Sequence, residues 1–259
     1  MTTDLITSRD NPWVKQCRAL AQDSNAYRKA GQVWLEGDHL CRALLARGRL
    51  PSVVVVTESH PYGVDGWGLP PAVRRVVLAD RLMGWISGLE SPPQVACLYE
   101  LPVAEGLEAD SPTVVLDRLQ DPGNVGSILR SAAAFGFQQV VALKGTAALW
   151  SPKVLRAGMG AHFGLHLVES VAVEDLQTLV VPLVATSSHQ GTWLHQAELP
   201  WPCAWLMGHE GQGVSEALMA RAAHRVRIAQ PGGEESLNVA AAAAICLHAS
   251  AVTKPPARL

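Results

Sequence analysis

Three short glycine-rich stretches gather polar side chains that could converge on a ligand, and each follows a strand-like apolar run. In the first, LQDPGNVGSILRSAAAFG, Asp121-Pro122-Gly123-Asn124 is turn chemistry opening a helix, since proline presets φ and Asp or Asn bonds its own backbone. Helical spacing puts Val125, Ile128, Leu129 and Ala132 on one apolar face and leaves Arg130 on another with Ser127 and Ser131. A guanidinium on an otherwise uncharged helix suits a phosphate, although a single arginine is more often solvated or salt-bridged. In the second stretch, LMGHEGQGVS, Gly208, Gly211 and Gly213 let backbone approach a ligand just past Leu206, and Glu210 supplies the only carboxylate. In the third, IAQPGGEESLNVAAAAA, Pro231, Gly232 and Gly233 favour a tight turn. The alanine-rich run from Val239 then has high helix propensity, so Ser236 and Asn238 stand at or just inside a helix N-terminus, where backbone N–H groups lack partners. Taken singly, Ser236 is a helix cap and Glu210 a solvated side chain. Taken together, three polar turns at the carboxyl ends of strands in one sheet could converge on a single pocket.

Other common chemistries are missing. No GxGxxG follows a strand, no GKS or GKT marks a P-loop, and no GxSxG elbow occurs. His209-Glu210 opens like the zinc motif HExxH, but Gly213 stands where the second histidine belongs, in a glycine loop rather than a helix.

The elements that must position these turns are those of an α/β chain. Apolar runs at 114–116, 140–143, 166–168, 180–185, 204–207 and 226–229 alternate with helical or turn segments, the pattern of a parallel sheet covered on both faces. Upstream, Asn11-Pro12 reads as the cap and first residue of a helix, Trp34 and Leu35 as a strand, and Asp38 as the cap of a helix through Leu40, Leu44 and Leu45. Strand-like runs at 53–56, 76–78 and 95–99, with a helix carrying Leu82, Ile86 and Leu89, complete a smaller α/β module. The acidic, proline-closed stretch 104–111 separates residues 1–103 from residues 112–259, and the tail KPPARL is expected to fray.

Composition narrows the class. With 48% hydrophobic and 17% charged residues the chain is globular, and 259 residues are ample for a core. No apolar run spans a bilayer and the first residues show no secretory pattern, so the expected compartment is the cytoplasm, with no membrane partner. Cys17, Cys41, Cys97, Cys203 and Cys246 are scattered and odd in number, unlike a disulfide frame or a metal site. A net charge of -2 is modest for a nucleic-acid ligand, yet Arg9, Lys15, Arg18, Arg28, Lys29 and Arg42 give the N-terminal module a local positive excess.

In order and spacing, LQDPGNVGSILRSAAAFG, LMGHEGQGVS and IAQPGGEESLNVAAAAA resemble the three signature motifs of the SpoU-type RNA ribose 2'-O-methyltransferases. SPKVLRAGMGAHFGLHLV resembles that family's connecting segment, and ITSRDNPWVKQCRALAQDSNAYRKAGQVWLEGDHL its N-terminal RNA-binding module. The resemblance implies a C-terminal α/β domain threaded into a trefoil knot, S-adenosylmethionine bound among the knot loops, and a homodimer through that domain. It also implies structured RNA as substrate, ribosomal in preference to transfer RNA, and no metal. Carried over by position, it makes Asn124, Arg130, Glu210, Ser236 and Asn238 the catalytic set, and Leu206, Gly208, Gly213, Ile228, Gln230 and Leu237 the cofactor-binding set. Two departures stand in the third motif: Ile228-Ala229-Gln230 replaces the usual Ile-Pro-Met, and Ala240 stands where serine is common. The implied reaction is in-line attack of a ribose 2'-hydroxyl on a sulfonium methyl. A guanidinium is a poor base at neutral pH, so Arg130 is expected to hold an RNA phosphate and stabilise the developing oxyanion. Two other readings stay open: an RNA-binding paralogue that has lost transfer, and a nucleotide or phosphate-ester enzyme that would lack a metal-binding carboxylate cluster.

Overall fold

The computed structural model describes residues 4–61, 63, 67–103, 105–187, 190–232 and 236–253; Gly233 and the tail 254–259 lie outside them. It divides into two compact units, residues 1–103 with 150–163, and residues 104–149 with 164–259.

The first unit runs β1 (Asp4–Ile6), α1 (Pro12–Gln22), α2 (Ala26–Ala30), β2 (Gln32–Glu36), α3 (Asp38–Ala46), β3 (Val53–Thr57), β4 (Arg74–Leu78), α4 (Asp80–Ser87) and β5 (Val95–Glu100). Asn11 caps α1 as its type predicts, its side chain accepting from the Trp13 N–H with Pro12 in the first turn. Strand order is β1-β4-β3-β5-β2, with β3 parallel to β4 and antiparallel to β5. β3, VVVVT, is buried throughout because it is the central strand. Arg18 ties α1 to α4 by donating to the Trp85 carbonyl at 2.8 Å while its guanidinium lies 4.2 Å from the Trp85 ring centroid. Two boundaries move from the expected places. Gly37, at φ 89°, is the cap of α3, and Asp38 lies in its first turn, where a carboxylate still complements the helix dipole. Leu89 falls beyond α4, which is ended by Gly88 in the left-handed region at φ 67°.

The second unit begins with β6 (Thr113–Leu116), α5 (Pro122–Ala134) and β7 (Gln139–Leu143). The chain then contributes α6 (Pro152–Gly158) to the first unit and returns as β8 (His166–Val171), β9 (Leu183–Thr186), β10 (Thr192–Trp193), β11 (Ala204–Met207), α7 (Glu216–Arg221), β12 (His224–Arg227) and α8 (Val239–Val252). Residues 150–163, placed above with the second domain, pack instead with the first unit. Ser151 caps α6, and Arg156 sits 3.7 Å from the Glu36 carboxylate. Burial pushes the Glu36 carboxyl up, against hydrogen bonds from Ser87 and Trp34 and the charge of Arg156.

The second unit's sheet has seven strands in the order β10-β12-β9-β11-β6-β7-β8, and every pairing is parallel. Both faces are covered, as continuous apolar runs require. Val115, Val141, Leu183, Leu206 and Leu218 share one buried cluster. On the other face Trp205 donates its indole N–H to Ser250 at 2.9 Å, satisfying both buried polar groups and seating α8 on β11. β9 starts at Leu183 rather than at 180, since Val180 is 75% exposed and Pro182 has no N–H to give a ladder. β12 ends at Arg227, two residues earlier than the apolar run suggests, which frees Ile228 to leave the sheet. All five cysteines are buried and unbridged.

Candidate active site

β6 and β11 are neighbours where the chain reverses direction across the sheet: β6, β7 and β8 run to one side, β11, β9, β12 and β10 to the other. The loops leaving the carboxyl ends of such a pair diverge and open a crevice. Here they are the turn 117–121 and the loop 208–215, and the segment after β12 joins them.

A run of directional hydrogen bonds joins the three segments. Asp121 caps α5 by accepting the Asn124 N–H at 2.7 Å, which fixes the first turn of that helix. The Asn124 side chain donates to Glu210 Oε1 at 3.2 Å and accepts from the Asn238 amide at 2.9 Å. The Asn238 oxygen in turn accepts the N–H groups of Ala240 and Ala241 at 2.9 and 3.2 Å, capping α8. Every amide along the run therefore has its donor and acceptor ends assigned by its neighbours. Glu210 is the terminal acceptor. Its Oε1 also takes the Asp121 N–H at 3.1 Å and its Oε2 the Gln120 N–H at 3.2 Å. Partial desolvation, the largest single influence, raises its pKa, but the backbone N–H groups of Glu210, Asp121 and Gln120 and the Asn124 amide together hold the carboxyl below the usual range.

The loop 208–215 is pinched into a ring. His209 and Gly213 exchange backbone hydrogen bonds at 3.0 and 2.8 Å, and a Cβ on Gly208 would lie 2.1 Å from Gly213 C, so only glycine fits there. A second tie comes from the end of β6. Asp117, with a side chain only 2% exposed, accepts the Ser215 N–H at 2.7 Å and the Arg118 Nε–H at 2.9 Å. Arg118 stands in the left-handed region at φ 60° and donates from Nη1 to Gln212 Oε1 at 3.1 Å. That conformation costs about 1 kcal/mol for a residue with a Cβ. The two side-chain bonds, with the Arg118 N–H given to Thr146 Oγ1 at 3.1 Å, offset it.

Beside the Asn124–Glu210–Asn238 run lies a cavity of about 410 Å³, lined by Gly208, Glu210, Gly213, Ile228, Gln230, Ser236 and Leu237 among others. That volume is in the range of small-molecule and cofactor sites.

The SpoU rRNA Methylase family model matches residues 111–248, more than half of the chain. This chain belongs to that family. A tRNA/rRNA methyltransferase of Synechocystis sp., itself uncharacterized, is 33% identical over 96% of this chain and 94% of its own. The 23S rRNA (guanosine(2553)-2'-O)-methyltransferase RlmP of Bacillus subtilis is 28% identical over 94% of this chain and 97% of its own. Among solved structures, the AdoMet-bound rRNA methyltransferase of Sinorhizobium meliloti superposes with a TM-score of 0.84 at 26% identity, covering 98% of this chain and 99% of that one.

In this SpoU-family chain the structure brings Asn124, Glu210 and Asn238 into direct contact and sets Ser236 on the wall of the neighbouring cavity. Ser236 is not the helix cap: Asn238 holds that position, and Ser236 lies two residues further upstream, exposed. Arg130 stands apart. It is exposed on α5, its side chain makes no hydrogen bond or ion pair among the described residues, and it lies six residues, or roughly 120° around the helix axis, from Asn124. Of the residues assigned by resemblance to the cofactor, Gly208, Gly213, Ile228, Gln230 and Leu237 line the cavity, whereas Leu206 is wholly buried in β11 behind it. Asp117, Arg118, Gln120 and Gln212 escaped notice in the sequence, where Asp121 was read only as turn chemistry. Their only signal was position, immediately after β6 or inside the glycine loop.

Proposed function

We propose that this chain is an S-adenosylmethionine-dependent methyltransferase that modifies a ribose 2'-hydroxyl of ribosomal RNA. The observation that carries this is the hydrogen-bonded run Glu210–Asn124–Asn238, which joins three motifs far apart in sequence on one side of a 410 Å³ cavity. The cavity suits the cofactor. Its walls mix glycine backbone with Ile228 and Leu237 and carry no metal-ligating cluster among the described residues, and a relative of nearly the same length is solved with AdoMet bound.

When bound, S-adenosylmethionine supplies the sulfonium methyl, and transfer forms an oxygen–carbon bond to the ribose while the carbon–sulfur bond breaks and the hydroxyl loses its proton. The protein's tasks are alignment and disposal of that proton. Gly208, Gly213, Ile228, Gln230 and Leu237 would hold the cofactor, Leu206 supporting them from beneath. Glu210, kept ionised by four hydrogen-bond donors, and Asn238 fix the Asn124 amide in one orientation. Arg130, without a hydrogen bond or ion pair among the described residues, is available to grip an RNA phosphate and steady the developing oxyanion, with the proton leaving by way of that phosphate. Ser236, exposed at the cavity wall, would bond the substrate or the cofactor.

The same reading makes the protein a homodimer through α8. Ile245 and Val252, seven residues apart on α8, are 41% and 66% exposed, apolar side chains on the outer face of a helix whose other face is seated on β11. It also includes the trefoil knot that the resemblance implies, with Ile228, Gln230, Ser236 and Leu237 facing the same cavity as residues 208–214. The compartment that goes with this reading is the cytoplasm. Mapping 2'-O-methyl positions in ribosomal and transfer RNA from cells with and without this protein tests the function: a ribosomal position should disappear, and loss confined to transfer RNA or to base methylation would refute it.

A further inference from the structure

One polar atom in the cavity has no use within the protein. Gln230 Oε1 is buried and accepts no hydrogen bond among the described residues. The next residue, Pro231, has no N–H to offer it. A buried acceptor left unpaired is costly unless a ligand supplies the donor. Gln230 lines the 410 Å³ cavity together with Ile228, Met219, Leu237 and Val239, whose apolar side chains suit a flat heteroaromatic ring.

We infer that the Gln230 side-chain oxygen reads the purine, accepting an N–H of the exocyclic amine of adenine and rejecting a purine that carries a carbonyl at that place. The inference rests on the assignment of this cavity to S-adenosylmethionine. A hypoxanthine ring would set its carbonyl oxygen against Gln230 Oε1, and the amide could meet it with a proton only by turning over and moving that oxygen out of the place the structure gives it. The amide thus supplies by hydrogen bonding what a methionine at this position could supply only by packing. It gives a physical meaning to the departure Ile228-Ala229-Gln230.

The test is calorimetric and independent of turnover. S-adenosylhomocysteine and S-inosylhomocysteine are titrated into the full-length protein, into Gln230→Met and into Gln230→Glu, with melting curves taken to confirm folding. The wild type should prefer the adenosyl ligand by on the order of 10²-fold, since a site built to pair a polar group penalises its loss. Gln230→Met should lower that preference about tenfold, one well-made hydrogen bond. Gln230→Glu, which keeps an acceptor oxygen, should retain most of it. An unchanged preference in Gln230→Met, or a wild type that favours the inosyl ligand, would overturn the assignment to Gln230 while leaving the cofactor site standing. A wild type that binds neither ligand would remove the cofactor site and this inference together.

Discussion

Asn238 donates its side-chain amide to the carbonyl oxygen of Asn124 at 2.9 Å, across 114 positions of sequence. The same Asn238 caps α8 and the same Asn124 donates to Glu210, so one hydrogen bond couples the start of a helix to the loop 208–215.

Replacing Asn238 by alanine removes both the cap and the link. A loss of about 1 kcal/mol is expected from the cap alone. A double-mutant cycle with Asn124→Ala should add a coupling on the order of 1 kcal/mol, because the two side chains share a bond. Denaturant unfolding of the four proteins measures it, and strictly additive effects would show the bond to be energetically empty.

Arg130→Ala should cut kcat by on the order of 10²-fold, the usual cost of removing a group that stabilises a developing charge. Calorimetric affinity for S-adenosylmethionine should stay within about twofold, since on this account Arg130 meets the RNA rather than the cofactor. Parallel loss of affinity and turnover would contradict that division of labour.

Arg118→Gly relaxes a left-handed backbone yet deletes the bonds to Asp117 and Gln212. The protein should remain folded, but the loop 208–215 loses one of its ties. KM for S-adenosylmethionine should rise on the order of 10-fold with kcat changed by less than about threefold, a positioning effect rather than a chemical one. Steady-state kinetics decide it, and a fall in kcat at constant KM would point to a chemical role.

Glu210 has a carboxyl pKa below the ordinary value in the folded protein, through the four donors that outweigh its partial desolvation. Its stabilising contribution is therefore fully present above about pH 4.3, the unperturbed glutamate value, and is lost only as pH falls through the lowered folded value. Melting temperatures of wild type and Glu210→Gln should differ by a constant gap at neutral pH that closes in acid. A gap that changes near neutrality would mean the titration belongs to another group.

The middle of the parallel sheet was readable in the sequence because β6, β7, β9 and β11 are buried, largely apolar runs, and Asn11-Pro12 announced α1 through capping chemistry alone. Short edge strands such as β1 and β10 were not readable, since three- and two-residue strands leave no periodicity. The site was legible as three motifs, but not as a network. That Glu210 bonds Gln120 and Asp121, or that Asp117 reaches Ser215, depends on β6 and β11 being neighbours, and sequence order conceals that adjacency. Ser236 looked like the cap because hydroxyl and amide compete for that place; the position of Asn238 immediately before Val239 decides it. Gln230 stood out only as a departure from a pattern, and its meaning came from an unpaired oxygen in a cavity.

The most direct test of the central claim is chemical. Ribosomal RNA from cells lacking this protein is incubated with the purified enzyme and methyl-labelled S-adenosylmethionine, then digested completely with alkali, which cannot cleave next to a methylated 2'-oxygen. The label should appear in alkali-stable dinucleotides, and label in mononucleotides would place the methyl on a base and contradict the account.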